Sequence, residues 1–477
     1  MELSHLINQL QFFLPELSLL LGGVVVLAGE LIHGKSKDCI IQTLTLALCF
    51  IVVGFLVQEY NTTQLIFSGS YLITPFTTFG KILVLMAGFF TFIVSRKYIA
   101  LHAISLAEYS FNIIFSMMGM FVLLSAHDFL IIFLGLELLS FPLYILTGMK
   151  IDNIRSSEAS FKYMIMGAFS SAIFLFGVGL IYGALGSTNL NAFLPVLANP
   201  DFIPFPFLYL GIIFILIGFA FKLSLVPFHA WTPDVYEGAP TPVTAFMSVT
   251  VKTAVFFLFI RIFSELTSTF FIHIIAFLAV ISIVIGNFYG LLQENIKRLI
   301  AYSSIAHAGY IMLGFLDSST TDASNAMMLY LVNYTFMNLI VLWVLMYLTT
   351  KKTYGEKLDD LRGIGRKKPW LGFVMIVALF SLAGMPPTPG FIAKFYIFSS
   401  ALKGGYILSV IVALLSTLVS LYYYTKILVV MYMQEGEVDI EGSHSLPVAL
   451  MLFVGVAALF YLAIFPNQIL EILPALK

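Results

Sequence analysis

Apolar runs, each about as long as the ~20 residues that cross ~30 Å of hydrocarbon, follow one another along nearly the whole chain. They are centred near residues 22, 48, 86, 117, 138, 172, 214, 251, 281, 307, 338, 386, 420 and 456. This pattern predicts an all-α polytopic membrane protein with about 14 transmembrane helices in a single domain, residues 1–477. Gln64–Leu72 (QLIFSGSYL) breaks the pattern and reads as a small hairpin outside the membrane. Two runs are interrupted by proline: Gly218–Phe257 carries Pro227, Pro233, Pro240 and Pro242, and the run near residue 386 carries MPPTPG. Proline within a helix removes a donor and disrupts it, so both helices are expected to be broken. The PTP echo at Pro240–Pro242 and Pro387–Pro389, each before a helix bearing a lysine, suggests two repeats with one discontinuous helix apiece.

The polar positions between the runs orient the chain. Numbered by the helix before them, odd loops carry fifteen Lys and Arg: Lys35, Lys37, Arg96, Lys97, Lys150, Arg155, Lys297, Arg298 and seven between Lys351 and Lys368. Even loops carry Arg261 and Lys403. Cytoplasmic loops are enriched in Lys and Arg, so the odd loops are expected to be cytoplasmic and both termini to lie on the opposite side.

Composition narrows the class. The chain is 60% hydrophobic and 10% charged, against about 25% charged in soluble domains. A net charge of −1 gives no electrostatic case for nucleic acid. Cys39 and Cys49, ten residues apart in an apolar segment, form no metal or redox pattern. Nucleotide-binding glycine loops are absent, and no Cys/His cluster could hold iron–sulfur or haem centres. The first run, around Phe12–Leu31, lacks the basic region of a cleavable signal.

Six basic residues lie inside predicted spans: Lys81, Lys162, Lys222, Lys252, Lys394 and Lys426. Charges inside a bilayer are costly and mark ion paths. Glu137, in FLGLELLSFPLYIL, is the sole charge between Asp128 and Lys150, and needs either a proton or a cationic partner. Lys222 precedes Pro227 by five residues, where freed carbonyls must face protein or water. Lys252 lies ten residues past Pro242, ~15 Å along a helix and too deep for easy snorkelling; Ser248, Thr250 and Thr253 beside it could hold waters. His307 sits among Ser303, Ser304 and Tyr310, and histidine titrates nearest neutral pH. Lys394 follows the second break, and Lys162 lies four residues after Glu158, the spacing of a helical ion pair. Lys81 and Lys426 are expected to snorkel, and His229 to be interfacial. The remaining residues form a Glu/Lys/His axis through successive helices, which points to proton or cation translocation. The alternative is a scaffold whose buried ion pairs only specify assembly.

The stretches LPELSLLLGG, FLGLELLSFPLYIL, EASFKYMIMGAFSSAIFLFG, FKLSLVPFHAWTPDVYEGAPTPVTAF, IKRLIAYSSIAHAGYIMLG and LAGMPPTPGFIAKF resemble the antiporter-like, Mrp-related membrane subunits of bacterial NADH:quinone oxidoreductase, respiratory complex I. They run from the first predicted helix to the twelfth. Lysine rather than glutamate at 394, the N-terminal stretch and the ending after Phe465, which leaves no room for a long lateral helix, favour one branch of that family. The resemblance implies N-terminal helices in residues 1–105, inverted five-helix repeats in 106–265 (helices 4–8) and 266–435 (helices 9–13), and a fourteenth helix in 436–477. Helices 7 and 12 would be discontinuous. It implies that Glu137 pairs with Lys222 with Lys162 nearby, that Lys252 passes protons across the centre near His307, and that Lys394 is the terminal site. It further implies that this chain carries no cofactor, that NADH, FMN, iron–sulfur clusters and quinone belong to partner subunits, and that it lies in a bacterial inner membrane, both termini periplasmic, among other membrane subunits and lipid. A multi-subunit cation/proton antiporter or a hydrogenase-type membrane complex would use the same axis.

Overall fold

The computed structural model describes residues 9–31, 37–198, 206–264, 266–317, 321–350, 355–436 and 446–475. The loop lysines Lys35, Lys351 and Lys352 and the terminal Lys477 lie outside the described residues. In chain order the main elements are α1 (Leu14–Ala28), α2 (Lys37–Glu59), β1 (Gln64–Ile66), β2 (Tyr71–Ile73), α3 (Pro75–Leu101), α4 (Leu106–Ser125), α5 (Phe129–Thr147), α6 (Ile154–Leu185), α7 (Leu190–Ala198), α8 (Pro206–Lys222) and α9 (Trp231–Gly238). Then come α10 (Thr241–Phe263), α11 (Thr269–Leu291), α12 (Ile296–Asp317), α13 (Asp322–Leu348), α14 (Pro369–Ala383), α15 (Pro389–Lys403), α16 (Ile407–Met433) and α17 (Leu446–Ile464). The expected hairpin is present, with Leu65 paired antiparallel to Leu72.

Among the described residues twelve helices are long and apolar enough to cross a membrane. The two remaining expected spans are the two proline-interrupted ones. Each is a pair of shorter helices about a break: α8 and α9 around residues 223–230, α14 and α15 around residues 384–388. Three spans, α10, α12 and α13, are wholly enclosed by other helices, whereas α1, α2, α6, α16 and α17 bury about a third of their apolar windows. The bundle therefore has an inner set of helices enclosed by the rest of the chain and an outer set with an open face. Polar side chains are tolerated on the inner set because protein partners replace lipid there.

Local signals start the helices. Thr74 and Thr77 form a reciprocal capping box ahead of Pro75 at the head of α3. Asp128 caps α5 through the Leu130 amide at 2.8 Å, Asn153 caps α6 at 3.0 Å, and Asn295 caps α12 at 3.1 Å. Helices α4 and α5 pack at backbone contact: a Cβ on Gly119 would lie 2.3 Å from the Leu139 nitrogen. Glycine lets two helices approach this closely, and the approach lets Ser116 on α4 donate to the Leu139 carbonyl at 3.0 Å. Pro142 then removes one backbone donor within α5, five residues beyond Glu137 and two beyond Ser140.

Candidate functional site

The polar side chains of the interior sit at helix breaks, at a π-turn and on the enclosed helices. Lys222 is the last residue of α8, 3% exposed. Its ammonium donates to Ser140 Oγ on α5 at 2.6 Å, and Ser140 in turn donates to the Leu136 carbonyl. Amides of the break turn back onto the end of α8: Leu223 donates to the Phe219 carbonyl, Leu225 to that of Ala220 and Ser224 to that of Phe221. The Trp231 indole of α9 adds a second bond to the Phe221 carbonyl at 3.2 Å, and the Val226 amide turns to Ser282 Oγ at 2.9 Å. Glu137, on α5 one turn from Ser140, is half-buried and accepts from Ser171 Oγ of α6. No direct ion pair joins Glu137 to Lys222 among the described residues, although Glu137 is the carboxylate whose charge reaches Lys222.

Lys252 follows a π-turn over Met247–Val251, a local widening found often at functional positions. Its ammonium, 2% exposed, donates to the Ser304 carbonyl at 2.6 Å and to Ser304 Oγ at 2.5 Å on α12. Tyr334 of α13 donates to Ser304 Oγ at 2.9 Å and to the Ser248 carbonyl at 3.1 Å. Of the three hydroxyl residues expected to hold waters here, Ser248 donates to the Ala245 carbonyl at 3.1 Å. Thr250 bonds back to Phe246, and Thr253 Oγ1 has no hydrogen-bond partner.

His307, one turn beyond Ser304, lies between Tyr330 Oη at 2.7 Å from Nδ1 and Tyr424 Oη at 3.4 Å from Nε2. Tyr424 also bonds Ser303. The His307 and Tyr334 rings are 5.4 Å apart, which links this group to that of Lys252. Lys394 on α15 turns back onto the end of α14, donating to the carbonyls of Leu382 at 3.2 Å and Ala383 at 2.9 Å. A cation at a helix C-terminus is stabilised by the dipole and the unpaired carbonyls. The ammonium also lies over the Tyr310 ring at 4.8 Å, an attractive placement for a cation.

Lys162 is placed elsewhere. It pairs with Glu158 at 2.6 Å, as the spacing predicts, and with Asp234 of α9 at 2.8 Å, with 38% of its side chain exposed. Arg298 joins Asp234 at 2.8 Å and Glu237 at 3.0 Å, so Lys162 belongs to a surface network around an open pocket.

Two lysine sites correct or extend the sequence reading. Lys81, expected to snorkel, is fully buried against Glu16 and Glu59. At the basic-loop end, Lys297 on α12 is 1% exposed and pairs with Glu356 at 2.8 Å while donating to the Ala239 carbonyl at 2.8 Å. Thr241, at the head of α10, bonds Glu356 and Tyr98 Oη, and Lys150 donates to Tyr98 Oη at 2.5 Å. Burial, reinforced by the charge of Lys297 and opposed by Glu356, pushes the Lys150 ammonium down to about 8. Reading of the sequence also missed Ser140, Ser171, Tyr330, Tyr334 and Tyr424. Their signal is a hydroxyl on an otherwise apolar helix, which becomes informative only once the facing helix is known. Among the described residues no three His, Cys, Asp or Glu side chains gather as a metal site would require.

A family model described as NADH:quinone oxidoreductase/Mrp antiporter, TM, matches residues 126–420. A protein of Trichlorobacter lovleyi named NADH-quinone oxidoreductase subunit N is 39% identical, covering 98% of this chain and 97% of that one. A protein of the same name from Pelagibacter ubique is 36% identical, covering 98% of each. Among solved structures, a chain of respiratory complex I from Thermus thermophilus superposes with a TM-score of 0.81 at 29% identity, covering 96% of this chain and 98% of that one. A chain of an Mrp complex from Dietzia has a TM-score of 0.81 at 18% identity, covering 98% and 96%, and shares the fold.

Proposed function

The chain belongs to the NADH:quinone oxidoreductase/Mrp antiporter transmembrane family, and on that premise we propose how its interior moves protons. It is a proton-translocating membrane subunit of complex I, seated among other membrane subunits of that respiratory complex. The route we propose runs through Glu137, Lys222, Lys252, His307 and Lys394.

One observation carries this reading: what the buried lysines are paired with. Lys81 and Lys297 face carboxylates. Lys222, Lys252 and Lys394 instead rest on neutral oxygens: a serine hydroxyl, a serine hydroxyl with its carbonyl, and two helix-end carbonyls. A lysine paired to a carboxylate strands an anion when it loses its proton, which is expensive in a low dielectric. A lysine on hydroxyls and carbonyls leaves only a lost hydrogen bond, and burial already disfavours its charge. These three can therefore exist in both protonation states.

Within this scheme Ser140 and Ser171 hold Lys222 and Glu137 apart. Closing the gap between them would stabilise the ammonium, and opening it would release the proton inward toward Lys252. Ser304, Tyr334, Ser303, Tyr424 and His307 supply hydroxyl and imidazole partners from Lys252 toward Lys394. Lys162 would act through the surface network that braces α6 against α9 rather than by carrying the proton. We read each broken pair as one crossing, which gives fourteen, and residues 106–265 and 266–435 as inverted repeats that each contribute one break beside a lysine. The redox groups (NADH, FMN, iron–sulfur clusters and quinone) would belong to partner subunits, and both termini would lie on the non-cytoplasmic side. Glu137 lies along a stripe whose apolar members Leu134, Phe141 and Ile145 are about half exposed. A carboxylate facing lipid is costly, so we assign that face to a neighbouring membrane subunit.

The experiment is Lys222→Met and, separately, Glu137→Gln in the assembled, vesicle-reconstituted complex. NADH-driven proton uptake should fall at least tenfold while flavin and iron–sulfur subunits still copurify. Wild-type pumping in an assembled variant would sink the relay.

A further inference from the structure

The proposed route leaves one buried charged cluster unused, at the hairpin end of the first three helices. Lys81 of α3 is 0% exposed, with its ammonium 2.7 Å from Glu16 Oε1 of α1 and 3.8 Å from Glu59 Oε2 at the end of α2. Tyr71 of β2 donates to Glu16 Oε1 at 2.6 Å, and the Lys81 ammonium lies 3.5 Å from its hydroxyl and 5.4 Å from its ring. The second oxygen of Glu16 and both oxygens of Glu59 are buried and accept no hydrogen bond. From α4 the cluster meets Phe121, 5.8 Å from the ammonium, and the hydroxyl of Ser125. From α10 comes Arg261, whose guanidinium is committed to the carbonyls of Leu124, at 2.8 Å, and Ala126, and which pairs with neither carboxylate among the described residues. His127 and Asp128 lie beyond Arg261, and Asp128 is taken up by the Leu130 amide and Thr188.

The charge count does not close. Arg261 is spent on carbonyls and is ion-paired to neither acid, so Glu16, Glu59 and the Lys81 ammonium by themselves carry one negative charge in excess, and an unpaired buried carboxylate is strongly unfavourable. The excess does not fall equally on the two acids. Glu16 has a close ammonium and a phenol donor on one oxygen. Glu59 has only the more distant edge of the ammonium and no hydrogen bond. Glu59 is also the last residue of α2, directly before the exposed Asn61 and Thr63, so it has the shortest way out to water.

We propose that Glu16, Lys81 and Glu59 form a second proton-binding site, distinct from the translocation axis, that holds one exchangeable proton on Glu59 and equilibrates with the hairpin side of the membrane. Glu16 and Lys81 are the fixed ion pair; Glu59 is the group that changes state. The glutamine variant at 59 reproduces the neutral, protonated side chain. Assembly is therefore expected to survive Glu59→Gln, whereas Lys81→Met, which leaves two carboxylates without a cation, should reduce the yield of assembled complex at least tenfold.

The test is infrared difference spectroscopy of the purified complex between acidic and alkaline pH, in sodium and in potassium buffer. The wild type should show a protonated-carboxyl band that disappears on alkalinisation, Glu59→Gln should lack it, and the choice of cation should not matter. Should Glu59→Gln fail to assemble, the same band is read in Glu59→Asp, where shortening the side chain should move it. A band of equal size and position in the wild type and these variants overturns the proposal, because the excess charge is then not resolved by a proton on Glu59. A band that depends on sodium overturns it too, because the cluster would then be a metal-cation site.

Discussion

Ser140→Ala separates a relay lysine from one that merely fills space. The Ser140 hydroxyl is 0% exposed and receives the Lys222 ammonium at 2.6 Å. A hydrogen bond to a charged group contributes about 1.5–3 kcal/mol. With nothing else drawn up to the ammonium, its charged form loses that amount, about a ten- to hundredfold fall in population at ~1.4 kcal/mol per decade. Ser304→Ala is the internal comparison. Lys252 keeps the Ser304 carbonyl at 2.6 Å when the hydroxyl is removed, so the loss should be a few-fold only. Lys162→Ala is the outer comparison: its partners are surface carboxylates, and exposed pairs contribute about 0–1 kcal/mol. The assay is NADH-driven acidification per quinone reduced in vesicles, normalised to assembled complex. The expected order of damage is Ser140→Ala, then Ser304→Ala, then Lys162→Ala. Wild-type pumping in Ser140→Ala, or a larger loss in Lys162→Ala, would refute the argument that hydroxyl-held lysines carry the proton.

Two further outcomes follow from other parts of the structure. Gly384 ends α14 at φ +80°, and a Cβ there would lie 2.8 Å from Lys394 Cδ. Gly384→Ala should therefore add about 1–2 kcal/mol of left-handed backbone strain, displace Lys394, and lower both thermal stability and pumping, read by melting of the complex and by acidification. Lys150, pushed down from 10.5 to about 8, should react with an acylating probe with a midpoint near 8. Because the unfolded chain binds the proton more tightly, this group's contribution to stability should rise as pH climbs from about 8 toward 10.5. Glu356→Gln, which removes the one opposing charge, should move the midpoint lower.

What the linear sequence determined is whatever acts between neighbours along the chain. The length of each apolar run set the helices, and prolines set the two breaks, since a missing donor disrupts a helix wherever it is folded. The placement of Lys222, Lys252, His307 and Lys394 in those segments was equally legible. What it could not determine is rotation: which face of each helix turns inward and which residue of a distant helix meets it. Lys81 and Lys162 show the difference. Both are lysines within apolar stretches of a helix, yet the first is enclosed by Glu16 and Glu59, 65 and 22 positions upstream, and the second opens to the surface with Asp234. Ser140 and Ser304 became partners only when packing of α5 and α12 brought each to a lysine on another helix, and Tyr334 only when α13 brought it to Ser304. Burial and pairing are properties of the bundle: a carboxylate faces Lys81 and neutral oxygens face Lys222, Lys252 and Lys394, and the proposed relay rests on that difference.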